Sequence, residues 1–363
     1  FEFISFTTGP GEVGDTRGKK DRGVGRGMQS AFVEGRVKPI SFSLEASVKS
    51  RAAATTVPQE SPIYRAAGLT QTVGGSNVAF TTPAAPLETA NSFAGLSLYR
   101  PLGKGLYVYE AEQMRGGVVK TLDWSGGDKE LTLKASGDSV GKYHLGYSLT
   151  ITLSDGVGTS LVFADAEEGK RFSLGWYQIE SEIIKITAMN YTTFTATIAR
   201  AQLSTSGVAH ASQPLRPYLP TLTYAGSPIS EGGTVTVTVD SQAIRALSFG
   251  VTLTSGMDLL PGESGNKYIQ GVKALRYDVK ATIKLVLKRE DVALIGKATQ
   301  RSSVAVTIVQ STGTAGGIVT FSLPTCEVEP FAVPDTANDV ATVDVSFRVR
   351  DNAGSDAFSL TLT

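Results

Sequence analysis

The chain has 363 residues, and its 34 lysines and arginines balance 34 aspartates and glutamates, so the formal net charge is zero. Proteins that bind nucleic acids through the phosphates usually carry a basic excess, so this balance argues against a general DNA- or RNA-binding protein. Hydrophobic residues make up 41% of the sequence, as in an ordinary globular protein, and the length predicts about two cores.

Residues 1–37 are predicted to form a glycine-rich, basic arm. Gly9–Gly27 holds seven glycines, and Arg17–Arg26 carries five basic side chains against Asp21 alone. This composition is typical of a flexible, solvated arm; docking on an acidic surface of a neighbouring subunit and contact with DNA are the alternatives. Gly9–Gly14 also fits the dinucleotide pattern G-x-G-x-x-G, but no apolar helical period follows it, and that motif works by opening a helix.

The dominant signal in the rest of the chain is alternation of apolar and polar residues, which predicts half-buried antiparallel β-strands. The predicted fold class is therefore all-β. One cysteine, Cys326, lies in such a stretch, so no intramolecular disulfide forms and the side chain should be buried. The clearest alternating runs are Ile40–Val48, Tyr147–Leu153, Val235–Val239, Phe249–Leu253, Tyr277–Leu287, Val343–Val349 and Phe358–Leu362.

Helical signals are confined to two short segments. Pro62–Ala67 is predicted to form a turn or two of helix that Gly68 ends. Asp291–Lys297 has an apolar helical period and predicts one flanking helix. No apolar run approaches the ~18 residues that a membrane-spanning helix needs, so no membrane span is predicted.

The predicted domain organisation is one β domain interrupted by a small one. Residues 1–155 and 218–363 form the two parts of the larger domain, and residues 156–217 form an inserted β domain with several short strands. The flanking runs Tyr147–Leu153 and Thr234–Val239 are predicted to belong to the larger sheet.

No catalytic, cofactor-binding or metal-binding residue is predicted. Ser139 lies in a G-x-S-x-G pattern, but the residues after it alternate as a strand, whereas a nucleophile elbow needs a helix there. His144 and His210 are the only histidines, and with one cysteine they give no zinc-site spacing. A serine hydrolase that uses Ser139 is therefore disfavoured.

The order of these elements resembles that of phage tail tube proteins. The resemblance covers most of residues 38–155 and 230–363, and it rests on motif order and not on any single motif. The matching segments are Pro62–Leu69 (a P-L-L-R-A-A-G-F-like helix), Asn77–Pro83 (a T-Y-T-P-like strand), Leu106–Val119 (an aromatic strand leading into an R-G strand) and Arg276–Ala298 (a long strand and its packed helix).

Gly156–Ser212 resembles a small β module that recurs in phage virion proteins. Ala201 and Ser204 stand where that module has glycine, so the turns there are expected to differ in detail. The resemblance implies that His210 anchors a turn and is not a ligand. The matching segments are Thr159–Val162, Glu182–Ile186, Phe194–Thr195 and Ala209–His210.

The tail tube resemblance implies a structural, non-enzymatic virion protein of a long, flexible tail. Its fold would be a β-sandwich-like barrel; six copies would form a ring, and stacked rings would form the conduit for genome DNA during ejection. Implied partners are other copies of the chain, the tape-measure protein, the tail terminator and the distal tail or baseplate proteins, with no sequence-specific DNA binding. The chain would assemble in the host cytoplasm, and the inserted residues 156–217 would decorate the outside of the tube.

The unusual length of the alternating run Arg276–Leu287, against ~5–6 residues for an ordinary strand, leads to a prediction for one strand pair. Ala246–Thr254 and Arg276–Leu287 are predicted to lie at the channel wall or a subunit junction, with Ser255–Gly271 as a loop that reaches the next ring.

The alternative function is a β-sandwich adhesin or carbohydrate-binding module of a phage tail tip or cell surface, which would show clustered exposed aromatic side chains.

Overall fold

The computed structural model shows a chain built mostly of antiparallel β-strands with little helix, which confirms the all-β fold class. It describes residues 5–8, 19–21, 30–32, 39–83, 95–101, 109–127, 129–146, 148–163, 169, 172–218, 226–229, 234–260, 271–273, 277–286, 292–331, 342–350 and 358–363. The predicted N-terminal arm and its G-x-G-x-x-G motif lie largely outside the described residues.

The strands vary in length from three to nineteen residues. In chain order the elements are β1 (Ser5–Thr8), β2 (Lys19–Asp21), β3 (Ser30–Phe32), β4 (Ile40–Ser47), α1 (Ser61–Ala66), β5 (Thr70–Val73), β6 (Val78–Thr81), β7 (Leu96–Pro101), β8 (Tyr109–Gly127), β9 (Thr132–Ser139), β10 (Gly141–Gly146), β11 (Ser148–Leu153), β12 (Ser160–Val162), β13 (Gly175–Ile179), β14 (Glu182–Asn190), β15 (Thr195–Ala199), β16 (His210–Pro217), β17 (Thr234–Val239), β18 (Gln242–Ile244), β19 (Ala246–Thr254), β20 (Asp258–Leu260), β21 (Gly271–Lys273), β22 (Asp278–Val286), α2 (Val292–Gln300), β23 (Ser303–Ser311), β24 (Ile318–Val328), β25 (Thr342–Val349) and β26 (Ser359–Leu362).

The chain forms two compact units, and their boundaries differ from the predicted domains. Unit 1 comprises Phe1–Leu96, Gly117–Val140 and Thr223–Thr363, and unit 2 comprises Ser97–Gly116 and Gly141–Leu222. The predicted insertion, residues 156–217, is therefore only part of the smaller unit.

Strand β11 explains much of this difference. The sequence assigned the run Tyr147–Leu153 to the larger sheet, and that assignment was wrong. Strand β11 pairs with β16, and its Ile151 and Leu153 are buried in the core of unit 2. An insertion that began at residue 156 would leave β16 with β13 as a neighbour but without β11.

The large sheet of unit 1 is nearly closed and barrel-like. Its main strand order is β1-β4-β9-β8-β19-β22-β25-β24-β23-β17-β18. Three further strands extend from β24: β26 pairs with β24, β6 pairs with β26, and β5 pairs with β6. Strands β19 and β22, the pair singled out in the sequence, are direct neighbours within this order. Whether they line a channel stays a prediction.

Alternation along the strands separates core from solvent as predicted. In β22, Val279, Ala281 and Ile283 are buried, while Asp278 and Lys280 are exposed. Apolar side chains from one face of each strand therefore form a shared core, as expected for strands with a period of two.

An aromatic cluster lies in the core of unit 1. Trp124 of β8 is 1% exposed, and its ring centroid lies 5.8 Å from Tyr64, 5.6 Å from Phe321 and 5.7 Å from Phe358. Edge and offset contacts of this kind add to the stabilisation that burial itself provides. Core packing is thus the role of Trp124.

Both predicted helices are present. Helix α1 begins beside Pro62 and buries Tyr64, and Gly68 follows it with a φ of 82°, a left-handed conformation that glycine adopts without a steric penalty. Helix α2 is longer than the predicted segment and buries Leu294 and Ala298. Its position after the long strand β22 agrees with the predicted order.

Unit 2 has its own six-stranded antiparallel sheet, in the order β11-β16-β13-β14-β15-β12. Phe163 and Phe172 stack with ring centroids 4.5 Å apart, and Tyr177 lies against Phe172. Twelve buried apolar residues share this core, which is enough apolar packing to give unit 2 an interior of its own.

Candidate assembly surface

The outer side of six adjacent strands in unit 1 carries polar side chains, apart from Gly250 and the half-buried Val286, which stands opposite Thr342. We call this surface the polar face; all of its residues are exposed or half-buried. It comprises Ser41, Ser43, Glu45 and Ser47 of β4, Thr132, Lys134, Ser136 and Asp138 of β9, Thr121, Asp123 and Ser125 of β8, Ser248, Gly250, Thr252 and Thr254 of β19, Asp278, Lys280, Thr282 and Lys284 of β22, and Thr342, Asp344, Ser346 and Arg348 of β25.

The strand register makes the polar face continuous. Ser43 stands opposite Ser136, Ser136 opposite Thr121, and Thr121 opposite Thr254, which in turn stands opposite Asp278. Residues that stand directly opposite in an antiparallel pair point to the same side of the sheet. The face therefore extends across neighbouring strands as far as Thr121; the register of β8 against β9 shifts between Val119 and Thr121, and Asp138 stands opposite the buried Val118.

Charges on the polar face are nearly balanced and mostly paired. Lys134 lies 3.5 Å from Glu45, and Arg348 lies 3.3 Å from Asp278. The acidic side chains are Glu45, Asp123, Asp138, Asp278 and Asp344, and the basic ones are Lys134, Lys280, Lys284 and Arg348. Since attraction to phosphates depends on an excess of basic charge, this face does not have the composition of a DNA-binding surface.

The structure places Ser139 in the core of unit 1. The residue is 0% exposed, its hydroxyl oxygen has no hydrogen-bond partner, and strand β10 begins two residues later at Gly141. A catalytic serine needs an adjacent base and access to substrate. Ser139 has the environment of a packed core residue, and β10 confirms that the residues after it form a strand.

Cys326 is buried, as predicted. Its thiol contacts the carbonyl oxygen of Leu323 at 3.6 Å, and burial raises the pKa of the thiol to about 12. Because the thiolate is the reactive form, Cys326 is inert at neutral pH.

The structure also shows a buried polar cluster in unit 2 that the sequence did not predict. Glu182 has a fully buried side chain, and its two carboxylate oxygens accept hydrogen bonds from Arg200 Nε and Nη2 at 2.6 and 2.7 Å. His210 places Nε2 2.9 Å from Glu182 and Nδ1 2.7 Å from Glu180. This position agrees with the predicted anchoring role of His210.

Glu182 also holds backbone segments that follow its own strand. The carboxylate accepts hydrogen bonds from the backbone N–H groups of Ala201 at 3.0 Å and Val208 at 3.3 Å. Arg200 in turn donates to the carbonyl oxygens of Asp155 and Val208. The cluster therefore fixes the residue 200–208 segment and the turn after β11.

Hydrogen bonding keeps Glu182 ionised. Burial alone would raise the pKa of this carboxyl group, but hydrogen bonds from Arg200, the Ala201 amide, His210 and the Val208 amide outweigh it and lower the pKa to about 2. A buried carboxylate that accepts several hydrogen bonds behaves in this way.

Unit 2 should therefore lose stability in acid. A carboxyl group whose pKa is lower in the folded state stabilises that state above its ordinary value of 4.5, and this contribution disappears as the pH falls towards 2. We expect hydrogen exchange of the Ala201 and Val208 amides to accelerate across this pH range, after correction for the intrinsic rate. Amides of the unit 1 core strand β22 serve as the internal control, and equal acceleration in both units would contradict the prediction.

Some features are absent from the part of the chain that the structure describes. No group of three or more histidine, cysteine, aspartate or glutamate side chains there is arranged to hold a metal ion. No helix in those residues is long and apolar enough to cross a membrane. The predicted ring-to-ring loop falls largely on residues 261–270, which lie outside the described residues.

Comparison with known proteins adds no identification. No protein family matches the sequence, and no curated protein shows significant similarity to it.

Proposed function

We propose that the chain is a structural subunit of a phage tail tube, which assembles into hexameric rings that stack into a conduit for DNA. The observation that carries this proposal is the polar face of unit 1. A conduit needs a wall that stays hydrated and does not hold the DNA that passes along it.

The chemistry of the polar face fits this requirement. Hydroxyl groups bind water, and paired charges such as Lys134–Glu45 leave little net field to attract phosphates. Apart from the half-buried Val286, the face carries polar side chains, so it offers little apolar surface onto which unstacked bases or a partner protein would adsorb. A wall of this composition is wetted and weakly adhesive.

The alternative, a carbohydrate-binding or adhesin module, has less support. Sugar recognition would use several exposed aromatic rings on one surface. Among the residues whose exposure the structure describes, Tyr191 is the one aromatic side chain in the exposed class, at 53%. The large aromatic residues of both cores are buried instead.

Electron microscopy with cysteine labelling tests the proposal. We expect purified protein at high concentration to form stacked rings with a central channel. Since Cys326 is inert, the single variants Thr254→Cys, on the polar face, and Thr192→Cys, on the exposed turn of unit 2, each carry one reactive thiol. A maleimide attached to a bulky polymer of about 5 kDa should label both variants while they are monomeric. Once tubes have formed, the same reagent should label only the T192C variant.

Two results would contradict the proposal. Protein that stays monomeric at every concentration would argue against a tube subunit. Tubes whose T254C thiol reacts with the bulky reagent as fast as in the monomer would place the polar face on the outside.

A further inference from the structure

We infer that the hairpin of β20 and β21 is a strap that Lys120 holds closed over an apolar spot on the polar-face side of unit 1. The strap consists of Met257 and the two strands that follow it, Asp258–Leu260 and Gly271–Lys273. Among the described strands, β20 pairs with β21 alone, so the strap is a two-stranded sheet separate from the large one. Contacts other than a shared strand ladder therefore hold it in place.

Val118 of β8 lies on the polar-face side of the sheet and is nevertheless buried. It stands directly opposite Asp138, which belongs to the polar face, so the two side chains point to the same side. Val118 is 0% exposed because it packs in a small cluster with Met257 and Leu259 of the strap, and Val272 of β21 lies against this cluster. The strap thus covers an apolar residue that would otherwise face solvent beside the polar face.

Ser255 fixes the end of the strap that follows β19. Its amide donates a hydrogen bond to the carbonyl oxygen of Lys120 at 2.8 Å, and its hydroxyl donates to that of Val119 at 2.7 Å. The next residue, Gly256, turns the chain with a φ of 59°, a left-handed conformation that glycine adopts without a steric penalty. The strap is tied to the sheet at this turn and can open by moving beyond it.

The side chain of Lys120 joins the strap to the sheet. Lys120 lies where the register of β8 against β9 shifts, between Val119 and Thr121, and such a shift re-aims a side chain. Its Nζ lies 2.6 Å from Oδ2 of Asp138 and 2.7 Å from Oδ1 of Asp258. Because Asp138 belongs to β9 and Asp258 to β20, one ammonium group holds the two parts together.

Electrostatics favours the closed strap only while Lys120 is present. Burial alone would lower the pKa of Lys120, but its hydrogen bonds to Asp138 and Asp258 outweigh burial and raise the pKa. The hydrogen bond from Lys120 also lowers the pKa of Asp258, so both groups are charged at neutral pH. Without the ammonium group, the two carboxylates would face each other at short range and repel.

The contact between Lys120 and Asp258 is open enough to respond to salt. Their side chains are 35% and 59% exposed. Ion pairs in contact with water are weak, and salt screens them, with a Debye length of about 3 Å at 1 M. A two-stranded hairpin also has little stability of its own. The strap should therefore open at high ionic strength while the large sheet stays intact.

The role of the strap rests on the proposed function. An apolar spot on the wall of a conduit would adsorb bases or protein segments that pass along it. While Lys120 holds the strap closed, Val118 stays covered and the wall keeps its polar surface. Closure itself is a property of the single chain, so it can be measured without assembly.

Oxidation of Met257 by hydrogen peroxide tests the inference, because a buried thioether reacts when local opening exposes it. Met257 is 2% exposed, and Met114, at 3%, is the internal control. In the full, unassembled chain, mass spectrometry should show Met257 oxidising about fivefold faster in about 1 M than in about 0.05 M sodium chloride. The rate at Met114 should stay unchanged.

Variants of Lys120 identify the group that holds the strap. Lys120→Gln should oxidise Met257 about tenfold faster than the wild type at low salt, since two ion pairs are lost, and should no longer respond to salt. Lys120→Arg keeps the charge and should stay slow. Lys134→Gln is the matched control, because it removes the Lys134–Glu45 pair of the same sheet, and it should behave as the wild type. Amide exchange in β22 should be equal in all four proteins.

Three results would overturn the inference. Slow oxidation of Met257 in K120Q would show that Lys120 does not hold the strap, and fast oxidation in the wild type at low salt would show that the strap is not closed. Loss of β22 amide protection in K120Q would show that Lys120 holds the whole sheet instead. These results leave tube formation untouched, and a chain that passes this assay but never forms tubes would remove only the role given to the strap.

Discussion

Replacing Glu182 by glutamine should destabilise unit 2 by about 3–5 kcal/mol, the usual cost of removing one partner from a buried ion pair. The side chains of Glu182 and Arg200 are 0% and 5% exposed, so the guanidinium would stay buried without an anion. Whichever carboxylate oxygen is replaced by the amide nitrogen, that nitrogen would face an Arg200 N–H group and could not accept its hydrogen bond. We expect a much lower denaturant midpoint for the loss of unit 2 structure, with unit 1 far less affected.

Glu180→Gln is the matched control for this prediction. Glu180 also contacts His210, at 2.7 Å, but its side chain is 47% exposed. Ion pairs in contact with water contribute about 0–1 kcal/mol, so this variant should remain close to the wild type. Equal losses in E180Q and E182Q would show that burial of the Glu182–Arg200 pair is not what stabilises this region.

The second large effect is expected at Gly137 of β9. A Cβ atom there would lie 1.9 Å from the carbonyl oxygen of Val118 and 2.9 Å from the Cα atom of Val119. Both are backbone atoms of the paired strand β8, so they cannot rotate away as the end of a flexible side chain could. The register of β8 against β9 also shifts close by, between Val119 and Thr121. Gly137→Ala should cost about 3 kcal/mol, at the upper end for an overpacked core.

Gly250→Ala in the same sheet is the control for Gly137→Ala. The nearest atom to a Cβ at Gly250 is the Trp124 carbonyl oxygen at 3.8 Å, an ordinary van der Waals contact. Alanine also loses less backbone conformational entropy on folding than glycine does. This change should therefore be neutral or stabilising by up to about 1 kcal/mol. Thermal unfolding of both variants measures the difference, and similar midpoints for G137A and G250A would refute the steric explanation.

Features that depend on neighbours along the chain could be predicted from the sequence. The alternation in β22 identified which side chains are buried, since side-chain direction in a strand has a period of two. Helix α1 was predicted because Pro62 and Gly68 impose local backbone preferences. Both signals lie within one short segment.

Features that depend on strand pairing could not be predicted in this way. The alternation in β11 shows that one side of the strand is buried, but not which sheet buries it, so the strand was assigned to the wrong unit. Glu182 begins strand β14, and its partners Arg200 and His210 follow 18 and 28 residues later in the sequence. The polar face similarly depends on β8 lying beside β19.

The pairing of β26 has a consequence for the order in which the chain folds during synthesis. Strand β26 lies between β6 and β24, and Leu360 stands opposite both Phe80 and Phe321. Most of the chain must therefore leave the ribosome before these two aromatic residues gain their shared neighbour. Unit 2 ends at Leu222, so its sheet can form while that synthesis continues. We expect the smaller unit to fold first and the larger sheet to close late, because pairing across such distances is slow.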